Sequence, residues 1–182
     1  TTETELTWGL DMNSNYFWRV RASNFAYTSP WSTIWSFSTG SFFVVGDGTM
    51  TNSTTSYPAP YGNWYWGAKH QILVLASEIT AAGGLAGDLT SLSFNVAALN
   101  TAAALVNFEI RLKQTTATVL DNIWDTDNFI SVYQNPSLTN TLGWNTHQFT
   151  TPFPWDGVSN VLIDICFNNS SYSSNQSTYY TT

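Results

Sequence analysis

The chain has 182 residues, of which only 9% are charged and 43% hydrophobic; an ordinary globular protein carries roughly a quarter charged residues. The aromatic share of 16% excludes an intrinsically disordered chain. Five Lys and Arg against twelve Asp and Glu give a net charge of −7, which excludes a nucleic-acid binder and argues against an anionic membrane surface, since both need clustered cations.

Neutral hydrogen-bonding side chains take the place of Lys and Glu, with 26 Thr, 20 Ser and 17 Asn. Together with the aromatics, this is a strand-and-turn composition, and the expectation is an all-β, secreted protein. An apolar stretch such as 72–76 is too short to span a bilayer. No signal peptide is visible, and the opening at Thr1 without Met reads as a mature chain or an excised fragment.

In chain order, residues 4–10 (TELTWGL) read as a first strand. Residues 16–22 (YFWRVRA) alternate with a period of two, placing Tyr16, Trp18, Val20 and Ala22 on one face and Phe17, Arg19 and Arg21 on the other. After a Ser/Pro turn, 31–39 (WSTIWSFST) forms a third strand that Gly40 ends. Residues 41–182 then offer strands at 41–45, 71–77, 89–96, 106–115, 130–133, 145–150 and 160–167. In 106–113, Phe108, Ile110 and Leu112 face inward while Asn107, Glu109, Arg111 and Lys113 face outward. In 161–167, Val161, Ile163, Ile165 and Phe167 share a face. A single helical turn fits within 77–85 before Gly83-Gly84 stops it. Short strands divided by Gly, Pro, Asn and Asp turns predict an antiparallel β-sandwich of jelly-roll type.

Leu10, Tyr16, Trp18, Val20, Ala22 and Asn24, followed by SPWSTIWSFST, resemble the final third of a fibronectin type III domain. The resemblance implies that Tyr16 forms the tyrosine corner of that family. A whole sandwich of this kind needs about seven strands, so residues 1–40 make a partial domain. Its apolar face, with Trp8, Tyr16, Trp18, Val20 and Trp35, then needs cover from outside 1–40. A preceding segment, the second unit or another subunit would each serve.

The strings GDGTMTNSTTSYPAPYGNWYWGAKHQILVLASEI, GWNTHQFTTPFPWDG and SNVLIDICFNNSSY resemble a recurring β-sandwich module of large secreted and cell-surface proteins of Bacteroidetes. Those proteins leave the cell by the type IX secretion route. The resemblance implies further strands and another cysteine beyond Thr182, and therefore a sandwich truncated at its C-terminus. Cys166 is the only cysteine, so no internal disulfide forms. It is either a small buried hydrophobe or a half-cystine whose partner lies outside this chain.

Little in the sequence points to catalysis. His70 and His147 have no second ligand at metal spacing and read as surface or strand-end imidazoles. Glu109 lies mid-strand beside Arg111 with no facing carboxylate, and no nucleophile or phosphate-loop motif is present. The one acidic cluster, DNIWDTDN, holds Asp121, Asp125 and Asp127 with Asn122 and Asn128. Such oxygens either wrap a structural Ca²⁺ or cap their own backbone in Asx turns. Tyr61, Trp64, Tyr65 and Trp66 (YGNWYWG) sit in a Pro/Gly-rich stretch, and Trp124, Trp144 and Trp155 stand near turns. Their rings either stack on sugars or plug the sandwich ends. The Asn-x-Ser/Thr matches at Asn52, Asn168, Asn169 and Asn175 are expected by chance in so Asn-rich a chain.

The expected role is a non-catalytic structural or adhesive segment of a large, repetitive extracellular protein or filament, with neighbouring modules or copies of itself as partners. The alternative is a carbohydrate-binding module of a secreted enzyme, with polysaccharide as partner.

Overall fold

The structure, a computed structural model, describes residues 10, 14–38 and 42–181. The chain divides into two compact units, Thr1–Phe43 and Val44–Thr182.

In the first unit, β1 (Asn15–Trp18) pairs antiparallel with β2 (Trp35–Ser38), setting Tyr16 opposite Phe37 and Trp18 opposite Trp35. Residues opposite one another share a face. The rings meet accordingly, with centroids 5.6 Å apart for Tyr16 and Phe37 and 4.7 Å for Trp18 and Trp35. Arg19 and Arg21 flank the ring of Trp31, at 4.3 and 4.5 Å from its centroid, a cation–π arrangement. The strand expected over 16–22 stops at Trp18, because serine hydroxyls replace carbonyls as acceptors, although Val20 O and Ala22 O still accept from Ser32 and Ser29 N–H. Val20 N–H donates to Ser32 Oγ and Ala22 N–H to Ser29 Oγ, each at 3.0 Å. Pro30, between those serines, has no N–H to offer a ladder. Asn24 closes the tip, its Oδ1 accepting from Ala26 and Tyr27 N–H. The strand expected at 4–10, with Trp8, lies outside the described residues apart from Leu10, which is in no strand.

The second unit runs β3 (Met50–Thr51), β4 (Gly67–Val74), α1 (Ala76–Ala81), β5 (Gly87–Ala98), β6 (Leu105–Thr115), β7 (Ile130–Leu138), β8 (Gly143–Trp155), β9 (Asn160–Asn168) and β10 (Ser177–Tyr180). They form two four-stranded antiparallel sheets, ordered β3-β10-β5-β8 and β4-β9-β6-β7. Every connection except β6 to β7 crosses from one sheet to the other, which is jelly-roll winding. The fold is an all-β antiparallel sandwich. Among the described residues no helix is long and apolar enough to cross a membrane.

The core lies between the sheets. Phe108, Ile110 and Leu112 of β6 and Val161, Ile163, Ile165 and Phe167 of β9 are buried, facing Val96, Phe149, Phe153 and Trp155 of the other sheet. Trp155 is thus a core residue rather than a surface ring, and its indole N–H donates to Ser159 O at 2.7 Å. Alternation slips once in β6, at Asn107 (φ +54), so Leu105 and Phe108 are both buried. Residues 42–45 form no strand, contrary to expectation, whereas β3 and β10 carry no alternating signature and were not expected. Their pairing with each other and with β5 defines them.

The outward face of β6 is not simply solvated. Leu162 and Asp164 on the outer side of β9 are also buried, because the 116–129 connection folds over that face.

Candidate functional site

Gly67 pairs with Asn168, Leu105 with Leu138 and Val96 with Gly143. The connections 52–66, 99–104, 139–142 and 169–176 therefore emerge together, and hydrogen bonds knit them. Asn63 Nδ2 and Ala103 N–H donate to Ser173 Oγ at 3.0 and 2.9 Å. Asn100 Nδ2 donates to Asn175 O at 3.0 Å and Asn140 Nδ2 to Gln176 Oε1 at 2.9 Å. None of the four connections contains a charged residue.

Two side chains are buried beneath these loops. Tyr61, read as either a sugar-stacking ring or a plug of the sandwich end, is 0% exposed, packed against Phe94 and Phe108. His147, expected at the surface or a strand end, is instead mid-strand, 1% exposed, and stacks on Phe108 with centroids 5.3 Å apart. The two meet directly, Tyr61 Oη lying 2.7 Å from His147 Nε2. Burial pushes the imidazole down to about 4 and the phenol up; both stay neutral, as uncharged groups must in an apolar core. The available signal was parity, since His147 shares a face of β8 with buried Phe149.

Above this layer Trp64, Tyr65 and Trp66 remain 51%, 54% and 56% exposed. Their backbones are held. Trp64 N–H donates to Asn175 Oδ1 at 2.8 Å, Trp66 O accepts from Asn169 N–H at 2.9 Å, and Tyr65 O accepts from Gly67 N–H at 2.9 Å. The rings pair as well, Tyr65 with Tyr57 at 5.0 Å and Trp64 with Tyr172 at 5.4 Å. Trp66 has φ +74, a conformation that costs a bulky residue about 1–3 kcal/mol. Its neighbour must be glycine, because a Cβ at Gly67 would lie 2.8 Å from Phe167 O.

The second predicted group centres on the 116–129 connection. Gln71 imitates a strand towards it, its Nε2 donating to Asp125 O at 2.6 Å and its Oε1 accepting from Asp125 N–H at 3.2 Å. The same Nε2 donates to Asp164 Oδ2 at 2.8 Å. Asp164 is 0% exposed and lies 3.3 Å from Lys69 Nζ and 3.1 Å from Arg111 Nη2. Arg111 thus turns chiefly to Asp164 rather than to Glu109, which is 4.0 Å away. A shallow pocket of about 280 Å³ opens between Gln71 and the 120–124 stretch of the loop. Trp124 is exposed, with Lys69 Nζ 5.3 Å from its ring centroid.

Of the two readings of the acidic cluster, calcium ligands or backbone caps, the hydrogen bonds give the second. Asp121 Oδ1 accepts from Ile123 N–H at 2.8 Å and Asp125 Oδ1 from Asp127 N–H at 3.3 Å. Asp125 also pairs with Lys113, which holds its carboxyl below the usual range. Asp127 Oδ1 accepts from the Thr126 hydroxyl. Among the described residues no three His, Cys, Asp or Glu side chains stand together as a metal site. These are Asx turns.

Cys166 is a free, half-buried thiol, and burial together with Glu109 pushes its pKa up, away from a reactive thiolate. Trp144 is exposed on β8. In the first unit Trp18, Val20 and Trp35 are exposed and Tyr16 is half-buried. Comparison with known proteins finds no matching family model, no similar curated protein and no similar solved structure.

Proposed function

We propose that the chain is a non-catalytic structural or adhesive segment of a larger extracellular protein, joining neighbouring modules or copies through β-strand addition. The observation that carries this reading is the Asn15–Ser38 hairpin, an aromatic ladder with Trp18 47% and Trp35 45% exposed. Two strands bury too little to be stable by themselves, and open strand edges are templates for further pairing. Under this reading the hairpin closes a fibronectin type III-like sandwich whose remaining strands lie outside residues 1–40. The module resemblance, with type IX secretion as the export route, belongs to the same proposal.

The fate of the titratable groups is consistent with a non-catalytic role. Three of the five cations serve the charged face, with Lys69 and Arg111 on Asp164 and Lys113 on Asp125. The other two flank Trp31. His147 is sealed in the core against Tyr61.

Hydrogen exchange over residues 16–22 tests the proposal, comparing the isolated chain with the assembled parent protein. Protection in the assembly, weakened by Trp18→Ala at about 3–5 kcal/mol as for any emptied aromatic core site, is the expected outcome. Equal, fast exchange in both states would overturn it.

A further inference from the structure

We infer that the charge-free loop end carries a binding site for a neutral polysaccharide, with Trp64, Tyr65 and Trp66 as stacking faces and Tyr57 and Tyr172 as their ring partners. This goes beyond a structural role, and it rests on different residues from the hairpin.

The first observation is rigidity. A cluster of flat apolar rings left half in water marks a contact surface, and each of the three residues has its backbone hydrogen-bonded, through Asn175, Asn169 and Gly67. Trp66 sits there in a positive-φ conformation that bulky residues avoid. Strain retained at an exposed aromatic marks a site where presentation of the ring matters. A preordered platform loses little entropy when a ligand docks.

The second observation is charge. The connections 52–66, 99–104, 139–142 and 169–176 hold no Asp, Glu, Lys or Arg, so an ionic ligand would find no counter-charge. The 169–176 connection that holds Trp64 through Asn175 Oδ1 and Trp66 through Asn169 N–H consists only of Asn, Ser, Tyr and Gln. A pyranose presents the matching chemistry, with C–H faces for the rings and neutral hydroxyls for amides and alcohols. The Trp124 pocket is a poorer candidate, because Lys69 stands against that ring and Asp121 lines the opening.

The test uses the whole chain in affinity electrophoresis through soluble neutral polymers (mixed-linkage β-glucan, xylan, galactomannan and starch) and through acidic ones (alginate and polygalacturonate). Retardation by at least one neutral polymer is expected. It should weaken about ten-fold on Trp64→Ala or Tyr172→Ala, the worth of one stacked ring. Trp66→Asn should weaken it similarly without refolding difficulty, because Asn tolerates positive φ. Trp124→Ala should bind as the parent does, and thermal melting checks that each variant is folded. Retardation by no neutral polymer, by the acidic polymers alone, or undiminished in the folded loop variants would overturn the inference. So would capture of a protein partner at these rings with no sugar binding.

Discussion

The connections 52–66 and 116–129 both raise tryptophans to the surface over buried polar groups, but the chemistry beneath them is opposite. Under 52–66 the buried groups are neutral. Asn52 Nδ2 donates to Ala59 O at 2.7 Å and to Thr178 Oγ1 at 2.9 Å, and its Oδ1 accepts from Thr178 N–H at 2.8 Å. Under 116–129 the buried group is the Asp164 carboxylate, between Lys69 and Arg111. Amide networks gain in a low dielectric with no charge to desolvate, whereas a buried ion must offset a desolvation cost through its partners. Equal burial therefore implies unequal sensitivity. One loop rests on geometry and the other on charge balance.

The largest effect should come from breaking that balance. Asp164→Ala leaves Lys69 and Arg111 facing a void without their anion and removes one of the two acceptors of Gln71 Nε2. The expected loss is about 3–5 kcal/mol in urea unfolding, with proteolytic cutting inside 116–129. A loss under about 1 kcal/mol would mean that solvent already screens the cluster, erasing the contrast between the loops.

Next in size is acid sensitivity from His147, buried below the neutral loops. Its folded pKa is about 4 against an ordinary 6.5, so between those values the unfolded chain binds the proton and the folded one does not. Stability is therefore flat above pH 6.5 and falls as pH drops towards 4, by about 3 kcal/mol in all. His70, also lowered by burial, acts in the same direction. The depressed Asp47, Asp125 and Asp156 carboxyls contribute only further down, below their ordinary 3.8. His147→Gln should flatten the pH 4–6.5 slope of the melting temperature. An unchanged slope would shift the effect to His70.

Asn52→Ala should cost about 1–3 kcal/mol, the price of unmade buried hydrogen bonds, and the loss should not depend on salt. Salt dependence there would break the comparison from the neutral side. The smallest effect is expected for Lys113→Met, which removes a partly exposed ion pair with Asp125. Such pairs contribute at most about 1 kcal/mol, and at molar salt, with a screening length near 3 Å, the difference should vanish in parallel melts.

Much of the fold was legible because alternation is a local property. Phe108, Ile110 and Leu112, and Val161 to Phe167 at every second position, were assigned to the core from period alone and are buried. Strands β4 to β9 and the short helix follow from the same pattern and from the turn residues between, whereas β3 and β10 do not. The candidate sites were legible only in part. Trp64, Tyr65, Trp66 and Trp124 are exposed as a surface reading requires, but Tyr61 belongs to the core three residues earlier in the same string. Aromatic type could not separate them, because the distinction depends on His147, 86 residues away along the chain.

Composition and period thus determined by themselves an all-β sandwich with few charges and its core faces. The tertiary structure alone decided which polar groups are buried and which rings face water. Asp164 interrupts an apolar run on the outward face of β9, and it is sealed only because 116–129 folds across it. β10 is a strand because Thr178 reaches Asn52, 126 residues distant. Period two states which side of a strand a residue takes; whether that side meets solvent depends on what distant chain lies over it, and burial sets the cost of every charge and unpaired hydrogen bond.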